Sequence, residues 1–132
     1  MSVFVDTSAF VSMLNGDEPE HKKAIELWNE LQDHDEQIIT TNYVIVESIA
    51  LIQRRLGFDA LRLFHNNIIP VLEIEWIREQ QHNDVFDALL LANRRQLSFV
   101  DCASFFIIRQ QKVQRVFALD KHFREQGFQC IP

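Results

Sequence analysis

Cysteine is scarce in this chain: Cys102 and Cys130 are the only two, and nothing around them has metal-ligand spacing. That sets aside a thiolate metal site, and the pair reads as reduced, partly buried thiols of a cytoplasmic protein. No apolar stretch approaches the ~18 residues a membrane span requires, so no membrane association is expected. The first apolar run begins at once, with no basic segment or small-residue cleavage site before it, so no signal peptide is read. Repeats, low-complexity tracts and linkers are also missing, and 132 residues predict one domain, 1–132. Tyrosine occurs once against eleven Phe, which predicts an aromatic core with few polar handles. Positive charge is in deficit, with a formal net charge of -6. That argues against a broad, sequence-blind nucleic-acid coat, whose affinity comes mostly from neutralising phosphates. An enzyme with acidity concentrated at one site remains compatible, with basic residues in local patches. Candidate patches are Arg54-Arg55, Arg94-Arg95, Arg109/Lys112/Arg115 and Lys121/Arg124.

Two apolar runs at opposite ends of the chain each finish on an aspartate. Val3-Phe4-Val5 leads into Asp6, and Val116-Phe117-Ala118-Leu119 leads into Asp120. As neighbouring parallel strands they would deliver both acids to one sheet edge, where open α/β folds place their sites. Between them, short β-branched runs alternate with helical patterns. Strands are predicted at Gln37–Thr40, Val71–Ile74, Arg115–Leu119 and Gln129–Ile131, with Pro70 confined to the first position of the second of these. A short helix should follow Asp6 and stop near Asn15-Gly16. A second is expected after Pro19, and a third behind a Thr41 or Asn42 cap ending at Gly57. Asp59 starts another through Asn66. A long amphipathic stretch covers about Ile77 to Arg95, with His82-Asn83-Asp84 as its candidate break, and Ser98-x-x-Asp101 opens the next helix. This alternation is that of an α/β fold with a central parallel sheet and helices on both faces.

Four acids carry the chemistry. Asp6 and Asp120 could each be a simple helix cap, Asp101 fits a capping box, and Glu47 could lie on a solvated helix face. A cap, however, needs only a short oxygen acceptor, which Ser, Thr or Asn supplies without charge. Glu47 sits within Val44-Ile45-Val46-Glu47-Ser48-Ile49-Ala50-Leu51-Ile52, a run too apolar for an exposed face, so it is expected to point inward. An inward carboxylate must be paired or hold a metal, and no Lys or Arg lies within one turn of it on that helix. Clustered carboxylates raise each other's pKa, and a hard divalent cation relieves that cost. Oxygen ligands without His or Cys select Mg²⁺ or Mn²⁺ over zinc, and a phosphodiester is the natural substrate of such a centre.

The blocks Val3-Phe4-Val5-Asp6-Thr7-Ser8, Val46-Glu47, Leu97-Ser98-Phe99-Val100-Asp101-Cys102 and Val116-Phe117-Ala118-Leu119-Asp120-Lys121-His122-Phe123 resemble a PIN-domain ribonuclease. The likeness is to the VapC-type toxins of prokaryotic toxin–antitoxin pairs, and in order and spacing it covers essentially the whole chain. It implies a three-layer α/β/α sandwich around a parallel sheet. It also implies Mg²⁺- or Mn²⁺-dependent cleavage of single-stranded RNA, a homodimer and a cognate antitoxin. Asp6, Glu47, Asp101 and Asp120 match the family's acidic positions, and Thr7 or Ser8 its supporting hydroxyl. The chain departs from many relatives at His122, where they carry a further acid; a phosphate contact or a solvent-facing ring is expected there. A nuclease of RNA processing without an antitoxin, and a catalytically silent PIN binding module, are the alternatives. A receiver domain or haloacid-dehalogenase-like phosphatase fits less well. Asp6 is followed by Thr7-Ser8, with neither an adjacent acid nor Asp-x-Asp. His21, His34, His65 and His82 receive no role, and Asp84 and Asp87 read as caps or solvated charges.

Overall fold

A computed structural model describes residues Met1–Pro132. Its strands are β1 (Ser2–Val5), β2 (Gln37–Thr41), β3 (Glu73–Glu75), β4 (Arg115–Phe117) and β5 (Gln129–Ile131). All neighbouring pairs are parallel, in the order β3-β2-β1-β4-β5. The chain therefore winds outward in both directions from β1, and the reversal lies between β1 and β4. The register pairs Val3 with Arg115, Phe4 with Val116 and Val5 with Phe117. Val3, Phe4, Val5, Val116 and Phe117 are buried, as strands covered on both faces must be.

Seven helices complete the α/β sandwich: α1 (Thr7–Leu14), α2 (His21–Asp33), α3 (Asn42–Leu56), α4 (Phe58–Leu63), α5 (Glu79–Ala92), α6 (Phe99–Gln110) and α7 (Lys121–Glu125). The expected caps are present. Thr41 Oγ1 accepts from Val44 N at 3.1 Å, and Ser98 Oγ accepts from Asp101 N at 3.0 Å. Gly57 ends α3 at φ 89°, a conformation that costs glycine little and other residues more. One contiguous core holds 29 buried apolar residues. Aromatic edges organise it, with Phe10 against Phe64 and Phe105 against Phe123, each 5.1 Å between ring centroids. No helix is long and apolar enough to cross a membrane.

Several expected boundaries move. Pro19 does not sit in the first turn of α2, which begins two residues later at His21. Helix α4 runs on through a π-type turn (Phe64–Ile68) and a 3₁₀ turn (Ile69–Val71), so Pro70 and Val71 are helical and β3 starts only at Glu73. Helix α5 passes unbroken through His82-Asn83-Asp84. There His82 hydrogen-bonds the Tyr43 hydroxyl and lies edge-on to Phe99, tying α5 to α3 and α6. Strand β4 ends at Phe117 rather than Leu119, because Ala118 and Leu119 form the exit that leads to Asp120.

Candidate active site

The first turn of α1 is built around Asp6. Its backbone N–H still belongs to the sheet, donating to Phe117 O at 3.1 Å, while its carboxylate caps α1. Oδ2 accepts from Ser8 N at 3.2 Å and from Ser8 Oγ at 2.8 Å. The Ser8 hydroxyl in turn accepts from Leu119 N at 2.9 Å, fixing the β4 exit against Asp6. Thr7 points elsewhere. Its hydroxyl accepts from Ser48 Oγ at 3.1 Å and donates to Val44 O at 3.5 Å, joining α1 to the helix that carries Glu47. Of the two candidate hydroxyls, Ser8 therefore touches a site acid and Thr7 holds the scaffold beneath.

Asp6, Glu47, Asp101 and Asp120 line one open cleft of ≈ 930 Å³ at the strand ends, together with Ser8, His122, Arg54 and Arg55. Within it, Asp101, Asp120 and His122 offer donor atoms that all lie within 4.8 Å of one another. Asp6 and Glu47 share the cleft without joining that tighter group. Asp6 is almost fully buried, and burial pushes its pKa up to about 7; the Ser8 hydrogen bonds oppose the rise, and the charges of Asp101 and Glu47 add to it. Asp101, also buried, is raised first by desolvation and then by Asp120 and Glu47, against the opposing influence of His122 and Ser98. Burial and mutual repulsion thus make ionisation of these acids costly. A divalent cation suits such a donor set.

Two sequence expectations need correction. Glu47 does not point into the core. It is half-buried at the cleft wall beside Leu51, and its neighbours Val46 and Ile49 are 66% and 37% exposed. The apolar run around Glu47 thus covers surface as well as core, and the acid reaches the site by helix face rather than by burial. His122 is not solvent-facing. Its side chain is only 14% exposed, with Nδ1 2.9 Å from Asp120 Oδ1 and 3.6 Å from Asp101 Oδ2. An imidazole therefore stands beside the acidic cluster, which the all-oxygen set read from sequence did not include. The signal was present at Asp120-Lys121-His122. An N-cap aspartate accepts from the N–H two residues on, here His122 N at 2.9 Å, and that turn keeps residue 122 beside the cap. Among the other histidines, His21 and His34 bond backbone carbonyls through Nδ1, and none lines the cleft. Asp84 and Asp87 lie on the exposed face of α5.

Residues 3–129 match the family model described as PIN domain. The chain is 28% identical to the 23S rRNA-specific endonuclease VapC20 of Mycobacterium tuberculosis over 127 residues, covering 96% of this chain and 95% of that one. A VapC ribonuclease of Aquifex aeolicus is 19% identical, covering 96% and 93% respectively. The crystal structure of Mycobacterium tuberculosis VapC20, described as a sarcin-ricin loop cleaving toxin, superposes with a TM-score of 0.83 over 96% of each chain. VapBC2 from Rickettsia felis, solved with a promoter DNA fragment, shares the fold at a TM-score of 0.65 and 13% identity. Sheet order, cleft and family model agree: this chain belongs to the PIN-domain family.

Proposed function

We propose that this protein is a divalent-metal-dependent endoribonuclease, the toxin of a toxin–antitoxin pair, and that Asp6, Glu47, Asp101 and Asp120 are its catalytic acids. The observation that carries the reading is the convergence of those four carboxylates on one cleft at the reversal of strand order. The similarity to VapC endonucleases supports RNA as the substrate. Mg²⁺ or Mn²⁺ is the proposed ion, held by Asp101 and Asp120 with Asp6 and Glu47 completing the acidic wall. Once bound, the cation offsets charge on a phosphodiester and makes water a competent nucleophile at neutral pH.

The chain's own groups do the rest. Ser8 spends both its donors on Asp6 Oδ2, which holds that carboxylate in one orientation and leaves Oδ1 free of protein donors. The free Oδ1 of a carboxylate held this way is placed to accept a proton from an attacking water. Arg54 and Arg55, from the last turn of α3, line the same cleft and make no ion pair elsewhere, so they are free to meet the phosphates on either side of the cut. By contrast Arg94 is paired with Glu125 and Arg115 with Glu36.

The proposal includes a homodimer and a cognate antitoxin, supported by the similarity to VapBC assemblies and by apolar side chains left open to solvent. Phe58, Leu63, Trp76, Leu90 and Leu91 are each more than half exposed and are open for a partner to cover.

The test is cleavage of single-stranded RNA by the purified protein with Mn²⁺ or Mg²⁺. Cutting that EDTA abolishes, and induced expression that arrests growth unless Asp6 is changed to Asn, are the expected results. Cleavage that persists in EDTA would sink the metal-dependent mechanism.

A further inference from the structure

His122 approaches two of the four acids, yet the four-acid reading gives it no task. Its Nδ1 is wholly inaccessible to solvent and makes no hydrogen bond, although Asp120 Oδ1 lies 2.9 Å away and Asp101 Oδ2 3.6 Å away. The distances are short enough, but the ring N–H direction misses both oxygens. A buried imidazole nitrogen without a hydrogen-bond partner is costly, so the ring calls for a partner that it can share with the two carboxylates. The spacing suits a cation. Ligand atoms on adjacent corners of an octahedron with bonds of 2.0–2.1 Å stand about 3 Å apart. The backbone fixes the residue in place as well, through His122 N donating to Asp120 Oδ1 at 2.9 Å.

We propose that His122 Nδ1 is a direct ligand of the divalent cation held by Asp101 and Asp120, and that it sets which cation the site prefers. The inference rests on the metal-dependent reading above and deepens it. An imidazole is a softer donor than a carboxylate, and affinity for nitrogen-bearing sites rises from Mn²⁺ through Co²⁺ and Ni²⁺. Mg²⁺ gains least from such a ligand. The site therefore discriminates against Mg²⁺ more than a pocket of carboxylates alone would. The rival role is an imidazolium that merely neutralises Asp101 and Asp120. The two make opposite predictions: removing a ligand weakens cation binding, whereas removing a positive charge strengthens it.

The experiment loads the wild-type protein, His122→Gln and His122→Asp with Mn²⁺, without RNA. Electron spin-echo modulation from a coordinated imidazole nitrogen is expected in the wild type and lost in both variants. Calorimetric titration should show Mn²⁺ affinity falling at least roughly tenfold in His122→Gln, since even losing a residue that supports a ligand costs that much. Mg²⁺ affinity should change less, and His122→Asp should bind Mg²⁺ better relative to Mn²⁺ than the wild type does. Circular dichroism checks that the variants fold; if one does not, the wild-type spectrum decides by itself. No nitrogen modulation in the Mn²⁺-loaded wild type, modulation that survives in His122→Gln, or tighter Mn²⁺ binding in that variant overturns the proposal. RNA cleavage by the wild type, measured separately, keeps the two readings apart. Cutting without nitrogen modulation removes the ligand and leaves the nuclease standing, whereas a protein that binds no Mn²⁺ loses both.

Discussion

Where the strands start, Glu36 lies 2.6 Å from the guanidinium of Arg115, and both side chains are largely shielded from water. Where the strands end, Asp6, Glu47, Asp101 and Asp120 crowd one cleft with His122 the single positively chargeable group in contact. The same sheet thus carries two treatments of buried charge. At the starting edge an acid meets a base of the chain and the scaffold is stabilised. At the ending edge acid meets acid, and stability is given up for a site that an external cation completes. The pattern accords with the general clustering of perturbed carboxylates at functional sites.

The largest test of this contrast is Asp101→Asn. RNA cleavage should fall by roughly 10²–10³-fold, the scale on which a single charge-stabilising group matters. The melting temperature should not fall, because one repelling charge has gone. Unchanged cleavage at matched purity would mean that the crowded edge is not the catalytic one.

Next in size is the cation itself, expected to stabilise the fold by about 2.7 kcal/mol at ~100 times its dissociation constant. Calorimetric melts with and without millimolar Mn²⁺ measure it, and an unmoved transition would count against an assembled centre. The cation-free protein should also respond to pH. Asp6 holds its proton up to about pH 7 in the fold, against an ordinary value of 3.8. The folded chain therefore binds more protons between those values, and its stability should fall as pH rises from 3.8 to about 7, then level off. Asp6→Asn should flatten that slope. A wild-type profile already flat would contradict a buried acid without a cation.

At the starting edge, Arg115→Ala strands Glu36 in a shielded position and should cost about 1–3 kcal/mol by denaturant titration. Cleavage should survive it, so a variant that stays folded but stops cutting would break the division between the edges. The smallest expected effect lies at the rim. Losing Arg54 or Arg55 should lower the salt slope of single-stranded RNA binding by about 0.7 each.

The sheet was legible from its outer runs because a buried parallel strand is a short apolar block with punctuation at each end, as at Val3–Val5 and Gln37–Thr41. Strand β3 was misplaced because Val71 and Leu72 look the same in a strand as in a helical turn closing on the core. The acids were readable for a similar reason, each standing at the end of such a block. Glu47 was found by a faulty route. An apolar helix need not be buried all round, and Val46 lies open to solvent. The place of His122 beside Asp120 follows from the local cap, but its approach to Asp101 depends on α6 and α7 converging, which no local spacing records.

The bond from Leu119 N to the Ser8 hydroxyl spans 111 residues of sequence. Holding residues so far apart in sequence together carries a loop-ordering cost that local contacts avoid. The elements at that margin of the fold are short, since α7 is five residues and the outer strand β5 is three. A local opening of that margin would carry Asp120 and His122 away while leaving Asp6 in the sheet centre. Heating or mild denaturant should therefore silence the protein before it unfolds, and catalytic competence becomes a readout of how firmly this one margin is docked rather than of the whole fold.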